Sequence, residues 1–153
     1  MQMEILECLA QAPSAADLPE YFPQAQTRLH QALANLRAGR VPLEKLLVAQ
    51  KLSRALEAYR TPSPAARAAT QLQAVGKIVK PGQRVRFLYM RGRPGVYAWD
   101  LPTPPDPRAL DLAYYDKFMR RAANTILEPL GMKEKQLRYQ VQCTLKVHCT
   151  LLP

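Results

Sequence analysis

Arg84-Val85-Arg86-Phe87-Leu88-Tyr89-Met90-Arg91-Gly92-Arg93-Pro94-Gly95-Val96-Tyr97-Ala98-Trp99 is the stretch on which the architecture turns. Its first seven residues mix alternation with β-forming side chains, Arg91 to Gly95 supply a turn, and Val96 to Trp99 run back, which predicts a β-hairpin. It is also the most basic structural unit in the chain. Working outward, Thr61-Pro62-Ser63-Pro64 breaks the backbone and offers Ser63 as the cap of a small-residue helix from Pro64 to Val75, closed by Gly76. The alanines of that helix permit close approach to another surface. Upstream, Val41 to Tyr59 is ambiguous on its own residues: Pro42 suits a helix start, yet Leu46-Leu47-Val48 suits a buried strand equally well.

The flanks read as helical. Met3 to Ala12, with Ile5, Leu6 and Leu9 on one side, predicts a short helix stopped by Pro13. A longer helix is expected from Pro23 to Ala38, with Leu29, Leu33 and Leu36 as its stripe, Gly39 as its stop and His30 on the flank. Downstream, Pro102, Pro104, Pro105 and Pro107 make an extended connector that cannot be helical. A final helix from Leu110 to Leu130 would turn Leu112, Tyr115, Met119, Ala122, Ile126 and Leu130 to one side and end at Gly131. No internal repeat is visible.

The 153 residues suit a single domain, with 22 Lys and Arg against 12 Asp and Glu for a net charge of +10. The excess is local. Residues 1 to 40 carry three basic and four acidic side chains, residues 41 to 95 carry eleven against two, and residues 96 to 153 carry eight against six. A block of +9 in one third of the chain is the footprint of a polyanion-binding face, because the two acids within it cannot neutralise it. The plainer alternative is a solvated surface balanced by acids from elsewhere in the fold.

Other functional classes find little support. No apolar run approaches the ~18 residues of a membrane span, and Met1-Gln2-Met3-Glu4 opens no export signal, so a soluble cytoplasmic protein is expected. Cys8, Cys143 and Cys149 are an odd number, which favours reduced thiols. Cys143, His148 and Cys149 form one loose group where structural zinc uses two close ligand pairs, so no metal site is expected. Asp106, Asp111 and Asp116 recur at five-residue steps and would rotate apart on a helix, unlike the converging carboxylates of two-metal chemistry. Gly92 and Gly95 are wrongly placed for a phosphate loop, and no nucleophile, base and orienting acid are spaced together. The residues read as a binding module, with no catalysis expected from this chain alone.

Taken in order, Val41-Pro42, Glu44-Lys45-Leu46, Leu52-Ser53-Arg54, Leu56, Tyr59, Pro64, Leu72, Gly76, Pro81-Gly82, Asp106-Pro107, Ala113-Tyr114-Tyr115 and Leu137-Arg138-Tyr139-Gln140 resemble the C-terminal thumb subdomain of family B DNA polymerases of the archaeal and DNA polymerase II type. The resemblance covers nearly the whole chain, least well before residue 30 and after Gln140. It implies an extended segment over Leu46 to Leu52 beside the hairpin, and hence an α+β fold, mainly helical, with helices around a small antiparallel sheet. One thumb-like domain over 1–153 is implied: N-terminal helices at 1–40, a basic DNA-gripping region with the hairpin at 41–100, and a C-terminal helix and tail at 108–153.

The resemblance further implies non-specific binding of double-stranded primer–template DNA through its phosphates, in support of DNA synthesis, whether in replication, repair or lesion bypass. The residues it points to are Lys51, Ser53, Arg54, Arg67, Lys77, Lys80 and Arg84. Tyr59 and Tyr89 are read first as packing residues and second as contacts. The palm aspartates, including an Asp-Thr-Asp, and the fingers do not occur here. Nucleotide binding, transferase chemistry and Mg2+ would therefore belong to a palm and fingers partner. The chain would be a fragment, a separate subunit or a truncated product of such a polymerase. The alternative is a stand-alone accessory protein that binds a polymerase or nucleic acid. Two departures stand out: Ala65 replaces a histidine common in relatives, and Val141 to Pro153 ends on an apolar note.

Overall fold

A backbone with Ser-Pro, Gly and Pro-rich breaks at these intervals folds as short elements, and the computed structural model describes residues 2–132 of it. Among the described residues, four α-helices, α1 (Gln2–Leu9), α2 (Leu18–Arg37), α3 (Pro64–Ala74) and α4 (Leu112–Leu127), accompany three strands, β1 (Val48–Lys51), β2 (Arg84–Tyr89) and β3 (Val96–Ala98). The fold is α+β, with one antiparallel sheet in the order β1-β2-β3. The described residues form two compact units, residues 35–115 and residues 1–34 with 116–132.

The unit of residues 35–115 holds the sheet. Val48 faces Phe87 and Lys51 faces Arg84 across β1 and β2, while Phe87 faces Ala98 and Tyr89 faces Val96 across β2 and β3. Because side chains alternate along a strand, Val85, Phe87, Val96 and Ala98 share one side, and this side is buried with Leu52, Ala65, Ala66, Ala68, Ala69 and Leu72. The alanines let α3 lie close to the sheet. Phe87, fully buried among them, contributes roughly 1.5–3 kcal/mol by leaving water. Ser63 caps α3 by accepting from the Ala66 amide at 3.2 Å. Gln71 reaches from α3 to β3, where its amide donates to the Val96 carbonyl at 2.8 Å and its oxygen accepts from the Ala98 amide at 2.9 Å.

In the unit of residues 1–34 and 116–132, Ile5, Leu9, Ala25, Leu29, Leu33, Ala123, Leu127 and Met132 form the core. Helix α2 starts at Leu18, five residues earlier than expected, and takes Pro23 inside it. Leu18, Tyr21 and Phe22 pack against this core and continue the Leu29 stripe backwards, so one more turn and more is gained by burying them. Pro23 lacks only one amide. On α1, Cys8 is buried beside Ile5 and Leu9, whereas Leu6 is exposed.

The final helix is shorter than the sequence suggests and its buried side is rotated. Tyr115, Ala123 and Leu127 are buried, whereas Leu130 is 38% exposed. Of the expected stripe, Tyr115 is buried and Met119 and Ile126 pack against the core from its edge, while Ala123 and Leu127, each one residue further along than Ala122 and Ile126, take the fully buried positions. The proline connector also yields at its end: Asp106 accepts from the Arg108 amide at 2.9 Å and starts a 3-10 turn over Pro107–Ala109. Pro107 suits that first position because its missing amide has no partner there in any case. Leu137-Arg138-Tyr139-Gln140, Cys143, His148, Cys149 and the tail Val141 to Pro153 lie outside the described residues.

Candidate nucleic-acid interface

On a pleated strand, residues two apart share a side, so Arg84 and Arg86 project from the sheet opposite the buried Val85 and Phe87. Lys51 is the cross-strand partner of Arg84 and projects the same way. Like charges directly opposed in a sheet destabilise it. No carboxylate pairs with Lys51 or Arg84 among the described residues.

The β1–β2 ladder continues past the strands and gathers further basic residues. The Leu52 amide donates to the Gln83 carbonyl at 2.8 Å and the Gly82 amide donates to the Leu52 carbonyl at 2.7 Å. The turn Lys80-Pro81-Gly82-Gln83 is closed by Gln83, whose side-chain oxygen accepts from the Lys80 amide at 2.8 Å. Gly82 has a φ of +92°, and a Cβ there would lie 3.8 Å from Lys51 Cε, so the lysine stem passes over the glycine. Immediately after Lys51, the Ser53 amide donates to Tyr59 Oη at 3.2 Å, and Ser53 Oγ lies 2.9 Å from the same oxygen. These bonds from Ser53 hold the Tyr59 phenol below its ordinary range, against an opposing effect of burial. Arg54 stacks its guanidinium over the Tyr59 ring, 5.4 Å from the centroid.

Of the seven residues the sequence singles out, Lys51, Ser53, Arg54, Lys80 and Arg84 thus come together around one end of the β1–β2 pair. Lys77 and Arg67 are engaged elsewhere within the unit. The Lys77 ammonium donates to the Asp100 main-chain carbonyl. Arg67 clamps the hairpin turn, its Nη1 donating to the Pro94 carbonyl at 2.6 Å, while its Nε is buried without a partner among the described residues. Gly95 is required beside it: φ is +78°, and a Cβ would stand 3.1 Å from Arg67 Nη1.

Arg86 was missed by the sequence reading, although its two-residue spacing from Arg84 was the available signal. Its guanidinium pairs with the Asp100 carboxylate. The Trp99 amide donates to the Arg86 carbonyl at 2.9 Å and so holds Asp100 next to it.

The two tyrosines of interest differ. Tyr59 is half-buried against the sheet core and also forms the platform under Arg54. Tyr89 is a packing residue: its ring stacks on Tyr114 at 3.7 Å and meets Phe87 and Tyr115 edge-on. Burial raises the Tyr89 phenol, and pushes Tyr115 up to about 12. The Tyr115 hydroxyl accepts from the Tyr89 amide at 2.9 Å and donates to the Leu46 carbonyl at 3.0 Å.

The three aspartates at five-residue steps each have a local partner. Asp106 caps its turn, Asp111 accepts from the Tyr114 amide at 2.9 Å, and Asp116 pairs with Arg120 at 2.6 Å. Among the described residues no three His, Cys, Asp or Glu side chains are grouped to hold a metal ion, and no helix is long and apolar enough to cross a membrane.

Comparison with known proteins connects the chain to a family. The chain is 35% identical over 105 residues to a DNA polymerase of Thermococcus litoralis, covering 66% of this chain and 6% of that one. It is 26% identical over 139 residues to DNA polymerase 2 of Aeropyrum pernix, covering 90% of this chain and 16% of that one. The chain therefore spans less than one fifth of these relatives. The family B DNA polymerase from Pyrobaculum calidifontis shares the fold, with a TM-score of 0.67 and 24% identity over 86% of this chain and 17% of that one. The family model for DNA polymerase family B matches residues 1–149, and with nearly the full length accounted for, this chain belongs to DNA polymerase family B.

Proposed function

We propose that the chain acts as the thumb of a family B polymerase, holding primer–template duplex through its phosphates without reading sequence. One observation carries the proposal: Lys51 and Arg84 stand directly opposed at the exposed end of the β1–β2 pair, at a cost to the sheet that an anion lodged between them would offset. Arg54, fixed over Tyr59, and Lys80, on its closed turn, extend the cationic surface on either side, and each cation that meets a phosphate releases a counterion. Ser53 orients the Tyr59 platform and so positions Arg54 indirectly. Nucleotide selection, phosphoryl transfer and Mg2+ binding are left to the palm and fingers, which are the expected protein partners.

The test is a titration of two primer–template duplexes of unrelated sequence at several salt concentrations. Four phosphate contacts give a slope of log K against log salt of about −3.6, equal for both duplexes. Absence of binding at low salt overturns the proposal, and a strong preference for one duplex replaces it with base readout.

A further inference from the structure

Resting on that reading, we infer that Asp100 is an internal competitor of the nucleic-acid phosphates, an acid that limits how tightly this face holds its polyanion. Three observations lead there. Arg86 lies on the same side of the sheet as Lys51 and Arg84, two residues along β2 from Arg84, so by position it belongs to the cationic row. Unlike those two, it is occupied by a carboxylate. The pair is also open to solvent, with side-chain exposures of 52% for Arg86 and 38% for Asp100.

An ion pair this exposed contributes little to stability, so holding the fold together is a poor account of it. Its larger effect is on the field of the face. The carboxylate cancels one charge of the row and takes up the fork of guanidinium donors that would otherwise fit a phosphate. Asp100 is held in place independently of the pair: the Trp99 amide is bonded to the Arg86 carbonyl, and the Lys77 ammonium is bonded to the Asp100 carbonyl, a main-chain group that no side-chain change removes. The acid therefore stays beside the row when a phosphate approaches. A moderated grip of this kind suits a protein that must release and re-form its phosphate contacts as the duplex advances.

The experiment compares the wild-type chain, Asp100→Asn, Arg86→Gln and the double variant for binding of a primer–template duplex across a salt series, with Glu7→Gln as a control of equal charge change. Asp100→Asn is expected to steepen the salt slope by about 0.9 and to bind roughly threefold tighter, as one added phosphate contact requires. Arg86→Gln leaves the carboxylate bare and weakens binding, while the double variant returns close to the wild-type slope. Thermal unfolding of each variant identifies any loss of fold, and the double variant, which carries both changes, keeps the comparison valid if one single variant is unstable. Asp100→Asn binding that is unchanged or weaker, or a Glu7→Gln effect of the same size, overturns the inference while the wild-type slope still supports the thumb reading. A wild-type chain that does not bind at low salt overturns both.

Discussion

In residues 1–34 with 116–132 the core is made mostly of long side chains, Ile5, Leu9, Leu29, Leu33, Leu127 and Met132, with Ala25 and Ala123 among them, whereas in residues 35–115 a sheet meets a helix lined by Ala65, Ala66, Ala68 and Ala69. The charge differs as sharply. Residues 35–115 carry fourteen Lys and Arg against five acids, while residues 1–34 with 116–132 carry four against six. The difference teaches where rigidity is needed. Alanines bring α3 close to the sheet and fix the strands, and the strands in turn hold the cations of the opposite side in register.

The largest test of this contrast is Phe87→Ala. With mostly alanines on α3 to fill the gap, the cavity persists, and a loss of roughly 3–5 kcal/mol is expected, against roughly 2–5 kcal/mol for Leu33→Ala. Trp99, the single tryptophan, lies in residues 35–115 and reports that unit by fluorescence during denaturation, while far-ultraviolet dichroism reports the helices. A smaller loss for Phe87→Ala than for Leu33→Ala breaks the contrast.

Next in size is Tyr115→Phe. It strips a hydroxyl that serves both the Tyr89 amide and the Leu46 carbonyl, and an expected cost of about 1–3 kcal/mol follows from leaving them unpaired. The phenol also sets a pH dependence. Burial raises Tyr115 from 10.0 to about 12, so the native state favours the protonated form. That contribution is present in full below pH 10 and is lost as pH rises through 12. Denaturation at a series of alkaline pH values should show wild-type stability falling across this window and a flatter decline for Tyr115→Phe; parallel declines would refute the assignment.

The smallest effect concerns charge alone. Lys51→Gln with Arg84→Gln should lower duplex affinity on the order of tenfold and reduce the salt slope by about 1.8, while Lys117→Gln, outside residues 35–115, leaves both nearly unchanged. Fluorescence anisotropy with a labelled duplex measures this. Equal losses from all three positions would mean that net charge, and not the opposed pair, drives binding.

Much of residues 61–99 was legible because its signals are local. Ser63 before Pro64, Gly76 after the helix, and the turn from Arg91 to Gly95 each act within a few residues. Strand β1 was not legible from its own residues: Val48-Ala49-Gln50-Lys51 has little β preference, and pairing with β2 is what extends it. Only the family resemblance pointed to it. The start of α2 was hidden by Pro23, which resembles a first-turn proline but is outweighed by Leu18, Tyr21 and Phe22. At the candidate site, the basic block was visible as composition, yet the partition within it was not. Arg67 finds Pro94 twenty-seven residues away, and Arg86 finds Asp100 beyond the hairpin turn, contacts that only the folded register creates.

The Gln71 amide has a consequence for how this chain behaves in company. A three-stranded sheet exposes two edges, and an open edge is a template on which another chain can add a strand. At β3 that template is already occupied, since Gln71 meets Val96 and Ala98 as a neighbouring strand would. At β1 the four-residue edge ends in Lys51, and a second copy laid against it would bring like charges together. The sheet can thus expose a long basic surface in a concentrated solution without becoming the seed of a fibril.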